Sequence, residues 1–193
     1  MEMLGELPML LFASAREWEE WLALHHAEPA GVWLRIAKKG CKVASVSYSD
    51  ALDIALCHGW IDGQKKPRDE SFWLQKFTPR RRRSGWSKVN TDRVVALIES
   101  GAMRPAGVAE VDAAKVDGRW AAAYQSQGNA TIPANFQAEL DAHPGAHAFF
   151  ATLNNTNRYA IYYRITTAKK PATRRSRIEA CIAMLERGEM LHP

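Results

Sequence analysis

The stretch WIDGQKKPRDESFWLQKFT, residues 60–78, decides the fold class of this chain. Residues 60–64 and 71–78 read as two strands, and the segment KKPRDE between them is short and polar. Such a connection suits an antiparallel pair, whereas a parallel pair needs a crossover of a dozen or more residues. Helical patterns flank the pair on both sides. The expectation is α+β: a small antiparallel sheet with packed helices, followed by a C-terminal all-helical module.

Working upstream, Val32, Leu34 and Ile36 alternate with Trp33 and Arg35, which predicts a strand over 31–38. Trp33 on the second face implies that this face is also partly covered. Residues 49–57 read as a helix capped by Ser47 or Ser49, with Leu52, Ala55 and Leu56 inward and Gly59 ending it. Residues 14–27 read as another, with Ser14 as N-cap, Glu17 completing a capping box, and Trp18, Trp21, Leu22 and His25 at helical spacing.

Downstream the pattern turns helical. Ser87 suits the cap of a helix carrying Val94, Leu97 and Ile98, and Pro105 suits a first helical position. QSQGNATIP, residues 125–133, is the loosest stretch and places a boundary between an α+β domain (1–125) and a helical module (126–193). Helices are expected over 133–143, 146–153, 155–167 and 173–187. The last opens on Thr173 as cap and buries Ile178, Cys181, Ile182 and Leu185.

Composition narrows the class. Of 193 residues 47% are hydrophobic, with seven tryptophans, so there is material for a packed core rather than a disordered chain. A net charge of +5 permits an anionic partner without demanding one. Cys41, Cys57 and Cys181 are too few for a disulfide framework and match no zinc spacing, so reduced thiols are expected. The N-terminal MEMLGELPMLLFASAREW lacks the basic start of a secretory signal, and no run of about 18 apolar residues is present. A cytoplasmic protein without membrane insertion is the expectation.

Charge is uneven. Residues 76–93 hold seven Lys or Arg against one Asp, and residues 164–178 hold six and no acid, so each is a strongly basic segment. Both lie where a helix is expected to begin, and a helix N-terminus offers unpaired N–H donors to anions. Arg80, Arg81, Ser87, Asn90, Lys170, Thr173, Arg174 and Arg177 are therefore candidates for an anion-binding surface, with a phosphate-containing or other anionic ligand as partner. The bland alternative is pairing with the chain's own carboxylates or plain solvation. Basic residues interleaved with Trp73, Phe77 and Trp86 also suit nucleic acid, although no recognised nucleic-acid-binding signature occurs.

Other chemistry is sparse. Cys57 and His58 are adjacent, so they diverge on a helix and make a poor dyad. His143 and His147 have ligand spacing but are separated by Pro144 and Gly145, so no metal and no cofactor is expected. Asp62, between glycines in the WIDG segment, could take a proton or hold a guanidinium such as Arg80. With His58, Trp60 and Trp86 it defines a candidate pocket, the basis of an alternative reading as an enzyme. No nucleophile-elbow, phosphate-loop or dinucleotide fingerprint is present, so a binding role rather than catalysis is expected.

The motifs SYSDALDIALCHGWIDG (47–63), FTPRRRRSGWSKVN (77–90), GAMRPAGVAEVDAAKVDGRW (101–120), IPANFQAELDAHPGAHAFFATL (132–153) and AKKPATRRSRIEACIAMLERGE (168–189) occur in order. With them the chain resembles the YdeI/OmpD-associated, or bacteriocin-protection, family of bacteria. The resemblance implies a role in protection against bacteriocins or in envelope stress, and no known reaction. It also implies that Gly59 to Gly63, Pro79, Arg80, Ser84, Trp86, Ser87, Asn90, Lys170, Thr173, Arg174, Arg177 and Ile178 belong to a shared pocket or a shared core.

Overall fold

The computed structural model describes residues 2–192. The described residues divide into two compact units, 2–85 with 90–121, and 86–89 with 122–192. The class is α+β: five strands lie at the N-terminal end, and the helices predominate after them.

The first unit is built on a sheet of order β1-β2-β3-β5-β4. Strands β3 (Val32–Ala37), β4 (Trp60–Pro67) and β5 (Phe72–Pro79) pair antiparallel, as the opening stretch requires. The first two strands, β1 (Glu2–Leu4) and β2 (Leu7–Leu10), are absent from the sequence reading. Three- and four-residue strands give no measurable alternation, and Pro8 argues against a strand because it donates no ladder hydrogen bond. Gly5, at φ 63°, makes their turn.

Strand β2 then pairs parallel with β3. The sheet is therefore mixed, not purely antiparallel. The crossover between these two strands is α1 (Ala15–His25), the helical connection that a parallel neighbour needs. Ser14 caps α1 by accepting from the Glu17 N–H, while the Glu17 carboxylate reaches back one residue further than a standard capping box, to the Ala13 N–H at 2.8 Å.

One face of the sheet carries Val32, Leu34, Ile36 and Phe77, all buried. Trp18 of α1 packs against Phe77 at 5.7 Å and edge-on to Trp60 at 6.3 Å. Such aromatic pairs contribute about 0.5–1.5 kcal/mol beyond area burial. Both indole donors are satisfied by backbone, Trp18 on Ala51 and Trp60 on His26. Helix α2 (Tyr48–Cys57), capped by Ser47, ends at Gly59 with φ 77°.

Helices α3 (Lys88–Glu99) and α4 (Pro105–Val116) follow. Helix α4 starts against the end of α2: the Arg104 N–H donates to the Cys57 carbonyl, and a Cβ on Gly107 would sit 2.2 Å from that same oxygen. Only glycine permits this approach.

The second unit is helical. Helices α5 (Ala134–Ala142), α6 (Pro144–Thr152), α7 (Asn155–Thr166) and α8 (Pro171–Glu186) surround Phe136, Leu140, Phe150, Ile161, Ile165 and the expected stripe of α8. Pro144 does split the His143–His147 segment, with His143 standing between α5 and α6. Asn157, 1% exposed, pins the C-terminal tail by exchanging hydrogen bonds with both backbone groups of His192. Helix α8 begins two residues earlier than expected. Pro171, its φ already helical and its missing N–H no loss, takes the first position after Lys170, so Thr173 lies inside the first turn and is not the cap.

Candidate functional site

The arginine run continues from β5 into a loop that two buried guanidiniums hold from behind. Arg80 is 7% exposed; its backbone N–H donates to Gly59 and its Nη1 donates to the Gly85 carbonyl at 3.3 Å. Arg119, also 7% exposed, donates from Nη1 to the Ser84 carbonyl and from Nε to both Asp117 oxygens. A reciprocal pair between Arg81 and Ser84 closes the turn. Arg81, Arg82 and Arg83 are left exposed. Arg80 is thus a buried support of this loop rather than a displayed cation. Sequence reasoning missed Arg119, although the DGRW context that holds it was in view; nothing local says that its partner lies 35 residues upstream.

The chain passes from one unit to the other inside the same motif. Residues 86–89 belong to the helical unit, where Ser87 bridges to Tyr124 as a short parallel pair. Lys88 N–H donates to Tyr124, and Tyr124 N–H donates to Trp86, whose side chain is 2% exposed. Asn90, at the start of the return into the first unit, is half-buried. Sequence reading treated Arg80, Ser87 and Asn90 as one surface; the fold distributes them over two bodies.

The second basic cluster sits where α7 ends and α8 begins. Arg177 Nη1 donates to the Arg164 carbonyl at 2.6 Å and to Thr167 Oγ1 at 3.4 Å, and Arg174 reaches the Ala168 carbonyl at 3.4 Å. Arg164 lies in the last turn of α7, whose carbonyl end carries partial negative charge that favours the Arg177 cation, and Ala168 lies two residues past that helix. Arg175 pairs with Glu179 one turn on, both largely exposed. Lys169, Lys170 and Arg174 have no carboxylate partner among the described residues, and no side chain caps α8. A cleft of about 410 Å³ opens here, lined by Lys169, Pro171, Arg174 and Arg175 with Glu139 and Glu179.

The pocket residues are held in separate settings. Trp60 is core, 1% exposed. Asp62 accepts the Tyr48 hydroxyl at 2.7 Å; burial and this carboxylate hold the Tyr48 hydroxyl above its ordinary range. Trp86 belongs to the other unit. His58 lines a cleft of about 320 Å³ with His26, Arg104 and Glu19, the last two ion-paired. Its pKa is lowered by burial, then by His26 and Arg104, so the ring is neutral near pH 7, and its Nε2 is enclosed with no hydrogen-bond partner. Burial pushes the Cys57 thiol up to about 11, which leaves it unreactive rather than a nucleophile beside His58. Among the described residues no group of three His, Cys, Asp or Glu could hold a metal, and no helix is long and apolar enough to cross a membrane.

Residues 10–110 match the family model described as Domain of unknown function (DUF8412). Residues 129–188 match a second, described as Bacteriocin-protection, YdeI or OmpD-Associated. The family resemblance read from the sequence thus rests on the helical unit, while the SYSDALDIALCHGWIDG and FTPRRRRSGWSKVN motifs fall in the range of the first. No curated protein and no solved structure matches the chain.

Proposed function

On the premise that the chain belongs, through residues 10–110, to that domain-of-unknown-function family, we propose that its cellular role is carried by the helical unit that follows. The protein acts inside the bacterial cell as a binding protein in bacteriocin protection, not as a catalyst. The match of residues 129–188 to the bacteriocin-protection model supports the general role. The observation that carries the binding chemistry is the cleft at the start of α8. Lys169 and Arg174 face it without carboxylate partners, beside an uncapped helix N-terminus. Exposed backbone donors and unneutralised cations together select a compact anion such as a phosphate group.

Calorimetric titration with inorganic phosphate and with nucleotides at low ionic strength tests this. Binding should weaken with added salt and fall at least about tenfold in Lys169→Gln/Arg174→Gln, since each charge-assisted hydrogen bond contributes about 1.5–3 kcal/mol. No salt-sensitive heat with any of these anions removes the proposal. The cellular arm is survival of bacteria under bacteriocin challenge, with the wild-type chain or this double variant supplied.

A further inference from the structure

The face of the sheet opposite the Trp18 core has its own chemistry. Opposed residues of neighbouring strands share a face, so the register Met9–Trp33–Lys76 and Arg35–Leu74–Lys66 puts these six side chains together. Met9, Trp33 and Leu74 form a small buried cluster there. Leu4 and Leu7 pack against it, and cations lie over the neighbouring rings. Lys66 and Lys76 sit over the Trp33 ring at 5.2 and 5.9 Å, and Arg35 sits over Phe72 at 4.6 Å. None of the three has a carboxylate within ion-pair distance among the described residues, and Arg35 Nε is buried with no hydrogen-bond partner. Arg68, by contrast, is neutralised by Glu2 at 2.5 Å and Asp69 at 3.4 Å.

We propose that this face binds single-stranded nucleic acid, with phosphates taking Lys66, Lys76 and Arg35 and bases taking the Trp33 and Phe72 rings those cations now cover. In the exchange each cation trades its ring contact for a phosphate, and the ring gains a stacked base. Width selects the single strand. Five strands about 4.8 Å apart present a face roughly 19 Å across, too broad for a major groove of about 12 Å. The charge is complementary to a polyanion, and the rings beneath it separate a nucleic acid from an acidic protein. This surface is independent of the α8 cleft.

Fluorescence anisotropy of a labelled oligothymidine titrated with the full chain at low salt is the test. Binding is expected, and Lys66→Glu/Lys76→Glu should weaken it at least tenfold. Lys66→Gln/Lys76→Gln should flatten the slope of log affinity against log salt by about 1.4, from about 0.7 per single-strand phosphate. Lys66 is exposed and Lys76 half-buried, and circular dichroism checks that both variants fold. Arg16→Gln, an exposed arginine on α1 over the opposite face of the sheet, should leave the affinity unchanged. Any of four results overturns the proposal: no binding at low salt, equal binding of duplex, equal displacement by polyglutamate, or undiminished affinity in the charge-reversed variant.

Discussion

Two arginine-rich segments that look alike in sequence are used in opposite ways. In RRRRSG the first arginine turns inward and, with Arg119, ties loop carbonyls to the first unit, leaving three cations in solvent. In TRRSR Arg177 and Arg174 reach back to the end of α7, and Arg175 pairs along its own helix. The shared feature is guanidiniums serving backbone carbonyls. The difference is burial: two cations enclosed in one case, an open corner with a cleft in the other. A run of arginines therefore specifies available donors, and the surrounding carbonyls decide how many remain for a ligand.

The comparison breaks first at the buried loop. Arg119→Ala removes hydrogen bonds to Asp117 and Ser84 from an enclosed site, and a loss of about 2–3 kcal/mol in urea unfolding is expected. A loss below about 0.5 kcal/mol would falsify the supporting role. The corresponding change at the open corner, Arg177→Gln, should cost about 1 kcal/mol, because helix-end interactions of cations are individually modest. Equal costs at the two sites would erase the distinction between them.

A third prediction concerns the first unit's cleft. His58 has a lowered folded pKa, so its contribution is fully present above the unfolded value of about 6.5 and is lost as pH falls below it toward the folded value. Its surroundings are His26, Arg104 and Glu19, the carboxylate alone opposing the shift. Stability measured by denaturant between pH 7.5 and 5 (a window set around that value) should fall, and His58→Gln should flatten the curve. A wild-type curve no steeper than that of His58→Gln would remove His58 as the cause. The smallest effect belongs to the exposed middle of the run: Arg82→Ala and Arg83→Ala should change stability by less than about 0.5 kcal/mol.

Legibility followed local signal strength. Helix α1 with its Ser14 cap, helix α2 with Ser47 and Gly59, and the β4–β5 hairpin were readable because caps, turn residues and periodicity lie within a few positions of one another. The β1–β2 hairpin was not, since short strands with Pro8 carry no periodic pattern and are held by pairing with β3. The start of α8 was misplaced by two residues because Thr173 offers a cap while Pro171 offers a preset φ, and here the proline prevailed.

The candidate site was legible as residue types and not as an arrangement. Arg174 and Arg177 were singled out, yet their acceptors on the end of α7 lie beyond any helical repeat. The Trp33–Lys66–Lys76 face depends on register across three strands, and a single slip would send every side chain to the other face.

By itself the sequence determined the α+β class, the hairpin, most helices and the two basic segments, because propensity, capping and apolar period act over one or two turns. Only the tertiary structure decided that the sheet is mixed, that Arg80 and Arg119 point inward, and that the motif around Trp86 is shared between two units. Those outcomes depend on which distant carbonyl or strand edge each group finds, and such pairings become favourable only once the core has paid for bringing them together.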